Sequence, residues 1–183
     1  MPVVVESPDM VALVRRLGSV SSNAPKAFRD TVVSVGKISK TEGTRAASAV
    51  YRVSTRRVGQ DLWVNTTRDT IKMTAKKKPI TLKSYGAKPA GKVAGRKVGV
   101  VVSVIRAKGP QQIKKNVFWI KGASGVPFKR IKGAKRYPIG PVPGPSAGDM
   151  MNNKTVYEPF QKAQIDRATK ELDRQITRAL TNG

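Results

Sequence analysis

The side chains that most often do chemistry are missing from this chain, which has no histidine and no cysteine. Ser-His-Asp and Cys-His nucleophilic arrangements are therefore excluded, as are disulfides and metal sites built on imidazole or thiolate. Carboxylates remain, but none occurs from Thr70 to Gly148. A general acid/base pair would have to come from the two ends. Gly91-Lys-Val-Ala-Gly95 is loosely glycine-rich. It lacks the Gly-Lys-Ser/Thr ending that a phosphate loop needs, and reads as a surface loop. These absences argue against an enzyme, and no cofactor or metal is expected.

What the residues can do is bind anions. Thirty-six Lys and Arg face 11 Asp and Glu, a formal net charge of +25. Such self-repulsion disfavours a lone compact monomer and calls for a polyanion or for acidic protein neighbours. The acid-free stretch holds 19 of these cations. The candidate contacts to DNA or to an acidic partner are Lys76, Lys77, Lys78, Lys92, Arg96, Lys97, Lys114, Lys115, Lys129, Arg130, Lys132, Lys135 and Arg136. Lysine meets phosphate or carboxylate as a point charge. A single short run such as Lys76–Lys78 also fits a solvated loop face; the uncompensated block as a whole does not. Tyr85, Phe118 and Trp119 could stack on bases, but aromatics make up only 5% of the chain, and core packing has the stronger claim on them.

The elements that would carry these residues follow from periodicity and punctuation. Pro8 to Leu17 reads as a short helix with Ser7 as N-cap and Gly18 as its end. Asn23 would cap a helix in which Ala27, Phe28, Val32, Val35 and Ile38 share a face; Gly36 weakens it and Gly43 is expected to break it. A further helical run carries Ala46, Ala49, Val50 and Val53 and stops at Gly59. Asp61 would cap a short turn holding Leu62 and Trp63. Strands are expected at Ile71–Thr74, Ile80–Lys83, Val98–Ile105, Asn116–Ile120 and Val126–Ile131, from alternation and β-branched runs. Gly122-Ala-Ser-Gly125 suits a hairpin loop, and Ala87–Lys97 and Arg106–Lys115 read as Lys- and Gly-rich loops. Pro138–Gly148, with four prolines and three glycines, reads as an extended connector. A capping box at Thr155–Glu158 then opens a last helix, from about Glu158 to Leu180. Its apolar stripe includes Phe160, Leu172, Ile176 and Leu180, which are the candidate subunit-packing residues.

The expected fold is α+β: N-terminal helices, a small basic antiparallel β-sheet or partial barrel, and a C-terminal helix. The organisation is an N-terminal arm over 1–22, a helical segment with the basic β module over 23–150, and the C-terminal helix over 151–183 in the same domain. No apolar run approaches the roughly 18–20 residues of a membrane span. Met1–Asp9 has no basic region ahead of its apolar run and makes a poor signal peptide. A soluble protein made in a reducing cytoplasm is expected.

An ordered set of motifs adds to this reading. Ile80-Thr-Leu-Lys-Ser-Tyr-Gly-Ala-Lys is followed by Gly99-Val-Val-Val-Ser-Val-Ile-Arg, Asn116-Val-Phe-Trp-Ile and Val126-Pro-Phe-Lys-Arg, then by Arg136-Tyr-Pro-Ile-Gly and Gly144-Pro-Ser146. This order resembles the minor tail protein Z family of tailed phages, as does the Ala- and Arg-rich region from Ala24 to Val58. The chain departs from the family pattern in longer segments around Lys92 and Gln111, and in a Lys-rich strand where the family's is arginine-rich. The resemblance implies a structural tail-completion or neck protein of the virion, acting late in tail assembly at the head-proximal end. It implies a homo-oligomeric ring, commonly of six, through which the genome passes. The implied neighbours are tail terminator and head-closure or connector proteins, with non-specific contact to genomic DNA and none to a membrane. The implied location is the virion, with host cytoplasm during assembly. The alternative is a cytoplasmic nucleic-acid-binding protein of ribosomal-protein type, which size and charge also fit; the aromatic-rich sheet motifs of common RNA-binding modules are absent.

Overall fold

The computed structural model describes residues 24–93, 96–120, 125–131 and 138–181. The N-terminal arm with its expected helix at Pro8–Leu17 lies outside them. The architecture is α+β.

Ala24–Val50 form one continuous helix, α1. The expected break at Gly43 does not occur, and the helical run expected after it is the end of the same helix. Local propensity, about 1 kcal/mol against each glycine, is overridden by packing. A Cβ at Gly43 would lie 3.1 Å from Met73 Cε and 3.3 Å from Leu62 Cδ2, and one at Gly36 would collide with Thr66. The two glycines let a hairpin lie directly on the helix. That hairpin is β1, Leu62–Thr66, paired antiparallel with β2, Ile71–Ala75. Leu62, Met73 and Ala75 are buried beneath it. Between α1 and β1 comes a one-turn helix, α2 (Thr55–Gly59), with Ser54 as N-cap. Asp61 does not cap a turn around Leu62; its Oδ2 accepts from Arg57 Nη1 at 2.6 Å, and the alternation of Leu62, Trp63 and Val64 makes a strand.

The end of α1 is closed by a residue far along the chain. Arg106 N donates to Val50 O (2.8 Å) and Arg52 N to Val104 O (2.9 Å), and Arg106 Nε donates to Ser48 O (2.9 Å). The last-turn carbonyls that a helix leaves without partners are thus met by a cation, which the helix dipole also favours.

Two more β units follow. β3 (Pro79–Thr81) leads into a 3₁₀ turn at Leu82–Tyr85. Strands β4 (Gly91–Val93), β5 (Arg96–Val102), β6 (Gln111–Trp119), β7 (Pro127–Arg130) and β8 (Ile139–Pro141) form an antiparallel sheet in that order. Both expected Lys-rich loops therefore contribute strand. The segment Ala87–Lys97 supplies β4 and the start of β5, and Arg106–Lys115 supplies the first half of β6. Gly99, with a left-handed φ of 64°, marks a register shift between β5 and β6. Its carbonyl accepts from Trp119 Nε1 at 2.7 Å.

The expected connector Pro138–Gly148 is ordered as β8, then β9 (Pro143–Ser146), then the start of α3 (Ala147–Asn152). β9 pairs with β3; a two-stranded edge tolerates prolines because the missing N–H groups are not all needed. The capping box also falls elsewhere than expected. It joins Ser146 and Asp149 at the head of α3. The last helix, α4 (Lys154–Thr181), starts one turn earlier than expected, where Asn153 Oδ1 accepts from Thr155 N at 3.1 Å.

Helix α4 runs antiparallel to α1. Asn153 Nδ2 donates to Tyr51 Oη (2.8 Å), Ser39 Oγ to Gln164 Oε1 (2.6 Å), and Arg167 pairs with Glu42 at 2.7 Å. Further along, the Arg174 hydrogen bond holds the Glu171 carboxyl below its ordinary range, with Gln175 and Ser34 of α1 adding to it. The main core gathers Ala47, Tyr51, Val58, Leu62, Ile80, Tyr85, Val100, Val142, Met150 and Val156 from both layers.

At its centre Tyr85, fully buried, donates its hydroxyl to Pro145 O at 2.7 Å. A Cβ at Gly144 would lie 2.7 Å from Tyr85 Cε2 and 3.0 Å from Ile80 O. Gly144→Ala should therefore overpack the core and cost about 1–3 kcal/mol. Gly109→Ala, which meets nothing within 4 Å, should stay within about 0.5 kcal/mol. Urea midpoints of the two variants check this; equal midpoints would refute it. Burial, with Tyr51 nearby, also raises the Tyr85 phenol above its ordinary range. Since the folded state holds the phenol neutral, this contribution is complete below roughly pH 10 and lost as pH rises beyond it. Tyr85→Phe should lose about 1 kcal/mol near neutrality, yet show a shallower alkaline fall than wild type. Parallel alkaline falls in urea unfolding would refute the assignment.

Candidate anion- and partner-binding surface

Much of the basic stretch contributes to the five-stranded sheet, while its first strand, β2, belongs to the hairpin on α1. Val100, Val102 and Val117 join the five-stranded sheet to the core, and the isolated bridge Tyr51↔Ile105 ties it to the end of α1. The carboxylates bordering this stretch in sequence are already engaged. Asp61 accepts from Arg57, Asp69 Oδ1 from Thr67 Oγ1 (3.3 Å), and Asp149 lies in the capping box with Ser146. The sheet has no carboxylate of its own.

Lys76, Lys77 and Lys78 lie exposed between β2 and β3. Lys76 is held on both sides of its backbone: its N donates to Asp61 O (2.9 Å), and its carbonyl accepts from Gly148 N (3.0 Å). Its Nζ sits 4.6 Å from the centroid of the Trp63 ring. Lys92 and Lys97 are register partners across β4 and β5, and Arg96 opposes Val93. Lys114 and Lys115 belong to β6. The side chains of these five lie outside the described residues. Lys129 and Arg130 are exposed on β7. Lys132, Lys135 and Arg136 also lie outside the described residues. The candidates therefore fall into separate groups, one beside the β1–β2 hairpin and others along the five-stranded sheet.

The aromatic and apolar candidates separate in the same way. Tyr85 is buried and unavailable for stacking; Phe118 and Trp119 are half-buried. Phe160 and Leu172 are each 4% exposed within the single chain. They are taken up by its own core and are not free to pack against another subunit. Ile176 is half-buried, and the side chain of Leu180 lies outside the described residues.

Two features escaped the sequence reading. Trp63, placed there in a turn, stands on the outward side of β1 and is 38% exposed. Lys26, Arg29, Lys37 and Lys40 are exposed on the same side of α1, around an exposed Val33. The signal for the second was present in the 3.6-residue spacing of these cations. It was missed because the spacing of this helix was followed through its apolar residues and not through its cations. Among the described residues no cluster of acidic side chains could hold a metal ion, and no helix is long and apolar enough to cross a membrane.

Comparisons with family models, with curated proteins and with solved structures found no match.

This surface should bind polyanions through charge. Lys76→Gln, Lys77→Gln and Lys78→Gln combined should flatten the log–log salt dependence of duplex DNA binding by up to about 3 if all three meet phosphate. Measured by fluorescence anisotropy across a salt series, an unchanged slope would place the phosphate contacts elsewhere.

Proposed function

We propose that the chain is a structural, non-enzymatic subunit of a tailed-phage virion, a tail-completion or neck protein that forms a ring at the head-proximal end of the tail. One observation carries the reading. The stretch from Thr70 to Gly148 holds 19 cations and no carboxylate, and its five-stranded sheet stands beside a helical layer whose polar groups pair with one another, Ser39 with Gln164 and Glu42 with Arg167. Such a chain is built to sit among acidic or nucleic-acid neighbours. The ordered motifs that resemble the minor tail protein Z family supply the identity of the assembly. Repeated around a ring, the basic layer meets adjoining terminator and connector rings or the passing genome. Docking to acidic protein faces takes the larger share, since a tight grip on DNA would oppose its sliding during ejection.

The test is a reconstruction of the assembled particle. It should show a closed ring of this protein, of six copies, between head and tail. A single asymmetric copy at the neck, or its absence from the particle together with co-sedimentation with ribosomes, would overturn the proposal.

A further inference from the structure

The outward face of the β1–β2 hairpin pairs an exposed aromatic ring with anchored cations. Trp63 opposes Thr74, and Asn65 opposes Lys72; directly opposed residues of an antiparallel pair share a face. The alternate residues Leu62 and Met73 point the other way, onto α1. So Trp63, Asn65, Lys72 and Thr74 lie together on the solvent side, with Lys76 Nζ 4.6 Å above the ring. Trp63 is 38% exposed, in a chain with only two tryptophans. The hairpin that presents it is rigid: its other face is core, and the Lys76 backbone is fixed at both its N–H and its carbonyl. The part of the ring left exposed sits beside cations on the same face, an arrangement suited to a ligand that offers both a π-face and negative charge.

We propose that this face binds single-stranded nucleic acid, with one base stacked on Trp63 and adjacent phosphates on Lys72 and Lys76. The ring selects the class of ligand. A carboxylate surface would satisfy the lysines and leave the ring bare, and a duplex keeps its base faces inside the stack. An unpaired base offers a π-face to the ring and, one bond system away, a phosphate to the ammonium now seated on it. The exposed cation–π contact is weak and exchanges readily for stacking with a phosphate contact. Asn65 and Thr74 flank the ring with hydrogen-bonding groups for a base edge. The inference is independent of the particle role, because it concerns the hairpin alone.

The experiment uses the full chain and its own fluorescence. An oligo(dT) strand should quench the emission saturably, and Trp119→Phe, which leaves Trp63 as the sole tryptophan, should retain the quench. Trp63→Leu should abolish it and weaken binding of a dye-labelled oligo(dT) about tenfold. Lys76→Gln, a second exposed change that keeps the ring, should flatten the salt slope of that binding by about 0.7. Circular dichroism confirms that each variant folds. Unchanged oligo(dT) affinity in Trp63→Leu would overturn the proposal. So would equal quenching by a duplex of the same charge, or equal quenching by poly-glutamate, which would assign the face to an acidic protein.

Discussion

The contact between β9 and β3 is the constraint on which the rest of the fold depends. It brings the chain after the five-stranded sheet back to the chain before it. Leu82 N donates to Val142 O, Tyr85 donates to Pro145 O, and Gly148 N donates to Lys76 O. Only a residue without a side chain fits at Gly144, between Tyr85 and the Ile80 carbonyl. With this junction closed, Ser146 and Asp149 cap α3, Asn153 reaches Tyr51, and α4 returns along α1. The sheet between β3 and β9 is thereby held as an inserted layer.

Charge is distributed to match. Where α1 meets α4, Glu42 of α1 pairs with Arg167 of α4, and within α4 Glu171 pairs with Arg174 close to Ser34 of α1. Such exposed pairs add little stability singly, but they keep like charges from facing one another at the helix interface. The strands of the β layer carry no carboxylate of their own. Its cohesion comes from β ladders and from Val100, Val102 and Val117 entering the core, contacts that are indifferent to salt.

Much of this architecture was legible in the sequence. Alternation located β2, a β-branched run located most of β5, and the apolar stripe through Phe160, Ala168 and Leu172 located α4, because each pattern reports directly on one buried face. Glycine was the main source of error. Gly43 reads locally as a breaker, yet it is where Met73 and Leu62 press on α1, a contact made by residues distant in sequence. The prolines of Pro138–Gly148 misled in the same sense. They exclude a central strand but permit a short pair such as β3–β9, which no local signal specifies. Of the candidate surface, the cations were visible by composition. The outward placement of Trp63 was not, because Asp61 suggested a cap when its partner is Arg57. The burial of Phe160 and Leu172 within the chain was equally hidden, since an apolar stripe does not say which surface it meets.

The clasp of Arg106 on the end of α1 bears on how such a chain can vary in length. A segment anchored at one end tolerates insertions and deletions, because loop closure grows costly only slowly with length. The span from Ser103 to Arg106 has no such latitude. Val104 O is held by Arg52 N, Ile105 bridges Tyr51, and Arg106 reaches both Val50 O and Ser48 O. One added residue there would move the guanidinium off the helix and uncover carbonyls at its terminus. Divergence among chains of this fold should therefore gather elsewhere between the strands, and length should be kept at this crossing. The two layers are coupled through a short ruler of backbone whose measure is set by the last turn of α1.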